Sequence, residues 1–92
     1  MNRSMRCESY LIKKGYNNSF KGFEYLLYIL NNYKSIRTYN ITDIYDEIAS
    51  KYDTTYTRVE RNIRYLISLK NDDSCKKVIS DLIYDFNKKK GE

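Results

Sequence analysis

A chain of 92 residues has room for one small domain. With no proline, three glycines and no histidine, it lacks the turn formers of a β-rich fold and the commonest general base and metal ligand. Its net charge of +5 and pI near 9.2 suit a polyanionic partner without requiring one.

Hydrophobic residues make up 41% of the chain, enough for one modest core, and eleven tyrosines supply much of its bulk, so their hydroxyls need water or a partner. No stretch has the ~20 apolar residues of a membrane span. The N-terminal MNRSMRCESY carries charge with no apolar run behind it, unlike a signal peptide. The expectation is a cytoplasmic protein with no membrane partner. Cys7 and Cys75 lie far apart in the sequence, with no histidine to complete a zinc spacing, and read as two reduced thiols.

In chain order, Met5 to Lys14 is expected to form a short first helix with Leu11 and Ile12 inward and Gly15 as its stop. Tyr16 to Ser19 is a loop by composition. A second helix is expected from about Phe20 to Tyr33, capped by Ser19, with Phe23, Leu26, Leu27, Leu30 and Tyr33 on one face and Phe20 extending it. This most apolar segment reads as the central core helix. Asn31 to Asn40 is a polar connection containing Ser35 and Thr38.

Residues 41–70 carry the pattern around which the rest is arranged. Ile41, Ile44, Tyr45, Ile48, Ala49 and Tyr52 keep the helical period after a cap at Asn40 or Thr42, and Ala49 is small enough for the next helix to approach closely. Asp53, Thr54 and Thr55 form a turn. Thr55 is placed to cap a fourth helix over about 56–69, although Thr57 with Glu60 also has capping-box spacing. Tyr56, Val59, Ile63, Leu66 and Ile67 form its buried side, while Thr57, Glu60, Arg61 and Arg64 stand opposite and Arg58 lies on the flank. After the loop Asn71–Ser74, which ends in a good cap at Ser74, a last helix puts Val78, Ile79, Leu82, Ile83 and Phe86 on one face, with Lys88, Lys89 and Lys90 in its final turn. The reading is all-α: a single helical domain over 1–92, about five helices, with a helix-turn-helix at about 41–70.

Catalysis has little to draw on. Gly15, Gly22 and Gly91 stand alone, so no phosphate loop exists. Asp43, Asp46 and Glu47 fit a solvated helix face, and Asp72 and Asp73 read as cap residues. Neither enzyme activity nor a cofactor is expected. Duplex DNA is the better match, because a recognition helix reads bases through its N-terminal half while arginines hold phosphates. Arg58 and Arg61 lie early enough to reach guanine edges. Glu60, a carboxylate that would face a polyanion, either accepts from a cytosine amino group or simply pairs with Arg64 at i+4. Spacing leaves both open.

The run Ile44–Ile67, IYDEIASKYDTTYTRVERNIRYLI, with its core TTYTRVERNIR from Thr54 to Arg64, resembles the helix-turn-helix of the C-terminal effector domain of the sporulation master response regulator (the stage 0 sporulation protein A family). Ser9–Leu30, with its Lys21-Gly22-aromatic step, looks like that domain's first two helices, so the resemblance covers roughly Ser9 to Leu69. It implies an all-helical domain recognising a short asymmetric promoter box on double-stranded DNA, without a cofactor. It also implies Arg58 and Glu60 as base readers, Arg61 and Arg64 as phosphate or flanking-base contacts, and Thr57 beside them, which favours the base-contact reading of Glu60. Full-length members carry a phosphoacceptor receiver domain first; no receiver is expected before Met1 here, and receiver phosphorylation is not expected to be the switch. The segment after the recognition helix is also shorter than in the family, where it helps copies pack on tandem sites.

Two rivals stand beside a transcription regulator. One is an interaction module or antagonist that pairs with, or competes against, a full-length regulator on tandem sites. The other is a tyrosine-rich binder of single strands, which most tyrosines oppose by falling on inward stripes.

Overall fold

The computed structural model describes residues 3–34, 39–70 and 73–90, which form five α-helices and no strand: α1 Arg3–Lys13, α2 Lys21–Asn32, α3 Ile41–Lys51, α4 Tyr56–Ser68 and α5 Cys75–Lys90. The all-α class and the order of elements are those expected from the sequence. Ser35 and Thr38 of the polar connection, and Asn71 and Asp72 of the loop before α5, lie outside the described residues.

In α1, Cys7, Tyr10 and Leu11 make the inward face at i, i+3 and i+4. Ile12, expected inward beside Leu11, is 47% exposed. One step of about 100° carries it off that face. The helix ends as Gly15 takes φ +94°. The Gly15 N–H then donates to the Ile12 carbonyl (2.9 Å) and the Tyr16 N–H to that of Leu11 (3.1 Å), the paired closure that needs a left-handed residue. Tyr16 and Leu11 are both buried where the closure brings them together.

Helix α2 packs against all four other helices. It buries Gly22, Phe23, Tyr25, Leu26, Ile29 and Leu30, with Tyr33 buried just past its end. The single stripe read from the sequence was too narrow: Tyr25 and Ile29 are inside, and Leu27 is only partly buried. A helix with neighbours on several sides does not keep a solvent face. Ser19 is not its cap. The Ser19 N–H and hydroxyl both donate to Asn17 Oδ1, at 2.8 and 2.7 Å, and Phe20 holds the N-cap position with no side-chain cap.

At Gly22 the backbones of α2 and α4 come close. A Cβ added there would lie 2.4 Å from the Asn62 carbonyl oxygen and 3.1 Å from Leu66 Cβ, so only hydrogen fits. The remaining helices are tied on by polar tyrosine contacts. Tyr10 packs on Phe86 (5.4 Å between ring centroids) and donates to Asp85 at 2.7 Å, fixing α1 to α5. Tyr28 of α2 donates to Glu47 of α3 at 2.6 Å. That hydrogen bond holds the Glu47 carboxyl below its usual range and pushes the Tyr28 hydroxyl up to about 12. In α5 the five residues expected inward, Val78, Ile79, Leu82, Ile83 and Phe86, are all buried, and Ser74 Oγ accepts from the Lys77 N–H at 3.2 Å as the expected cap.

Gly22→Ala should therefore destabilise the fold by about 1–3 kcal/mol, the usual cost of forcing atoms into a packed contact, read as a lower urea or thermal midpoint. An unchanged midpoint would mean that α2 and α4 do not meet this closely.

Candidate nucleic-acid interface

The face that α4 shows to solvent is set by what locks its other side. Asn40 caps α3, its Oδ1 accepting from the Thr42 N–H at 3.1 Å, and α3 buries Ile44, Tyr45, Ile48 and Ala49. The turn that follows repeats the closure seen after α1. The Thr54 N–H reaches the Ala49 carbonyl (2.8 Å), the Asp53 N–H reaches that of Ser50 (3.4 Å), and Asp53 takes the left-handed conformation, φ +53°. Aspartate is among the few non-glycine residues that adopt it readily. Thr55 then caps α4, its hydroxyl accepting from the Arg58 N–H at 3.2 Å. The alternative Thr57–Glu60 box does not form, because α4 begins at Tyr56 and Thr57 lies inside the helix, where Glu60 pairs with Arg64.

Val59, Ile63, Leu66 and Ile67 are buried on α4, and Tyr56 packs its ring on Tyr45 at 5.6 Å. With that side fixed, Thr57, Arg58, Arg61 and Arg64 are exposed. At about 100° per residue, Arg58, Arg61 and Tyr65 fall within roughly 60° of one another. Arg58, placed on the flank by the sequence pattern, is thus part of the outermost stripe. Glu60 is the flank residue. Its side chain is 28% exposed and its carboxylate lies 3.4 Å from Arg64 Nη1 one turn on, an exposed pair worth a few tenths of a kcal/mol.

The structure adds three residues that the sequence reading passed over. Asn62, Tyr65 and Ser68 line an open groove with Arg58, Arg61 and Arg64. Tyr65 is 54% exposed, and its ring is steadied edge-on against Phe20 of α2 at 5.5 Å. Asn62 Nδ2 donates to the Arg58 carbonyl (2.7 Å) and Ser68 Oγ to that of Tyr65 (2.7 Å). A signal for Tyr65 was present, since it follows Arg61 by four residues and shares its face. The arginines and a tyrosine on this face are donors suited to phosphate oxygens and to the acceptor edge of guanine.

Elsewhere, no group of three or more metal-ligating side chains exists among the described residues, and no helix among them is long and apolar enough to cross a membrane. Cys7 is buried and its thiol donates to Asn31 Oδ1 at 3.4 Å, Cys75 is half-buried, and neither forms a disulfide.

A short turn that sets a capped, arginine-faced helix beside its predecessor in an all-helical domain is an arrangement shared with helix-turn-helix domains of the nucleic-acid-binding type. Comparison with family models makes the assignment specific. Residues 7–92 match the family described as "Sporulation initiation factor Spo0A C terminal", and the chain belongs to that family. The match takes in α5, beyond the Ser9–Leu69 stretch on which the resemblance was read. This family is the DNA-binding effector domain of the sporulation factor, which supports the role of a DNA-binding regulator for the chain. Comparison with curated proteins gives no match, and comparison with solved structures gives none.

Because the cap fixes where α4 begins, Thr55→Ala should cost about 1 kcal/mol of stability and weaken DNA binding by no more than a few-fold. Paired unfolding and binding titrations check this. No loss of stability would mean that the cap does not anchor the helix.

Proposed function

We propose that the chain is a sequence-specific regulator of transcription that binds double-stranded DNA with α4 in the major groove. The observation that carries this is the outward stripe of α4, where Arg58 and Arg61 stand exposed on a helix whose opposite side is buried and whose start is capped. Arg58, in the first turn, is assigned to a guanine edge. Glu60 is assigned to a cytosine amino group, Arg61 and Arg64 to phosphates or flanking bases, and Thr57 to the backbone beside them. The Glu60–Arg64 pair is compatible with this division, since a weak exposed pair opens readily when a phosphate competes for the arginine. A second copy, or a longer homologous regulator, on a neighbouring box is part of the same proposal and would register as a second binding step.

Titration of labelled duplexes selected from a random pool, at two salt concentrations, tests it. With about four to six phosphates engaged, the log–log salt slope should lie near −4 to −5. Arg58→Ala and Glu60→Ala should reduce discrimination between selected and scrambled duplexes by about 1–3 kcal/mol each, whereas Arg64→Ala should weaken both duplexes alike and flatten the slope by about 1. Equal affinity of the unaltered protein for selected and scrambled duplexes would contradict sequence-specific binding.

A further inference from the structure

Tyr45 is 3% exposed, and its hydroxyl is closed off from solvent with no hydrogen-bond partner of ordinary geometry, only the Cys75 thiol standing near enough to act as a weak one. Folded proteins rarely leave such a group unpaired, because phenylalanine would fill the same space without the desolvation penalty. The ring is not free to seek a partner elsewhere. It belongs to the buried face of α3 and is packed on Tyr56 of α4 at 5.6 Å. Glu60 follows Tyr56 by one helical turn on the same flank of α4. Burial foremost, and then the Cys75 thiol and the Glu60 carboxylate, raise the pKa of the Tyr45 hydroxyl, which places both groups within its electrostatic reach. A thiol sulfur is a weak acceptor; the carboxylate is the strong one, and in the free protein it lies against Arg64 at 3.4 Å.

Building on the reading of Glu60 as a base contact, we propose that Tyr45 is the positioning residue for Glu60 in the DNA-bound state. As Arg64 leaves for a phosphate, Glu60 takes the Tyr45 hydroxyl as donor to one carboxylate oxygen and presents the other to a cytosine amino group. A carboxylate entering a phosphate-lined groove needs a fixed donor behind it, both to offset repulsion and to hold one rotamer. Tyr45 provides that donor from α3, whose place beside α4 is set by the turn. The hydroxyl, facing nothing stronger than a thiol in the free protein, is then a donor held in reserve for the complex.

The experiment measures Tyr45→Phe, Glu60→Ala and the unaltered protein against a selected duplex and a panel in which each cytosine is replaced in turn. Glu60→Ala should lose preference at one position. Tyr45→Phe should lose preference at that same position by about three- to tenfold, what one net hydrogen bond is worth, while its unfolding midpoint stays equal or rises and its affinity for scrambled duplex is unchanged. A hydroxyl that merely fills space would raise the midpoint and leave the preference intact, which would overturn the proposal. If Glu60→Ala alters no position, the base-contact reading fails and the positioning role fails with it. Should Tyr45→Phe melt too low to assay, the Tyr45 ring Cζ resonance of the unaltered protein decides. It should move on binding selected duplex but not scrambled duplex, and an unmoved resonance would overturn the proposal.

Discussion

At Gly22 two helix backbones come together with no side chain between them, and the placement of everything else follows from that approach. A Cβ would stand 2.4 Å from the Asn62 carbonyl oxygen, so the start of α2 is held against the middle of α4. Because α2 also touches α1, α3 and α5, this contact sets α4 within the whole bundle. It also brings Phe20 to Tyr65, so the same contact that buries one side of α4 steadies an aromatic ring at the edge of its exposed face.

The turn between α3 and α4 supplies the second constraint. Asp53 in the left-handed conformation, the closure onto Ala49 and Ser50, and the Thr55 cap together determine which residue begins α4. A shift of one residue would rotate each side chain by about 100°, in one direction carrying Arg58 to the buried position of Val59 and in the other carrying Arg61 to the flank position of Glu60. Packing and capping agree on one register, and in that register the arginines face outward while Val59, Ile63, Leu66 and Ile67 face in. The charge that suits DNA is local, carried by a surface that the apolar side of the same helix orients.

Much of this was readable in the sequence because it depends on local chemistry. The caps at Asn40, Thr55 and Ser74, the stop at Gly15 and the inward faces of α4 and α5 follow from hydrogen-bonding groups and periodicity within a few residues. What was missed depends on distant contacts. Gly22 looks like an isolated glycine until α4 is laid across it. Ser19 has the chemistry of a cap, but Asn17 satisfies it first. Ile12 and Leu27 show that an apolar residue beside a stripe need not be buried, whereas Tyr25 and Ile29 are buried because α2 is surrounded. For the interface, the arginines were legible as a basic face, but the finer division, with Arg58 in the outer stripe and Glu60 on the flank against Arg64, needed the helix in place.

The central claim is that the outward stripe of α4 is the surface that meets DNA. Amide chemical-shift mapping of the isotope-labelled chain, titrated with a duplex selected from a random pool, tests it most directly. The expected result is a set of perturbations concentrated at residues 55–65 and at the adjoining start of α2 around Phe20 to Gly22, with the outer face of α5 unmoved. Perturbations centred on α1 and α5, with the amides of Arg58, Arg61 and Arg64 unchanged, would contradict it.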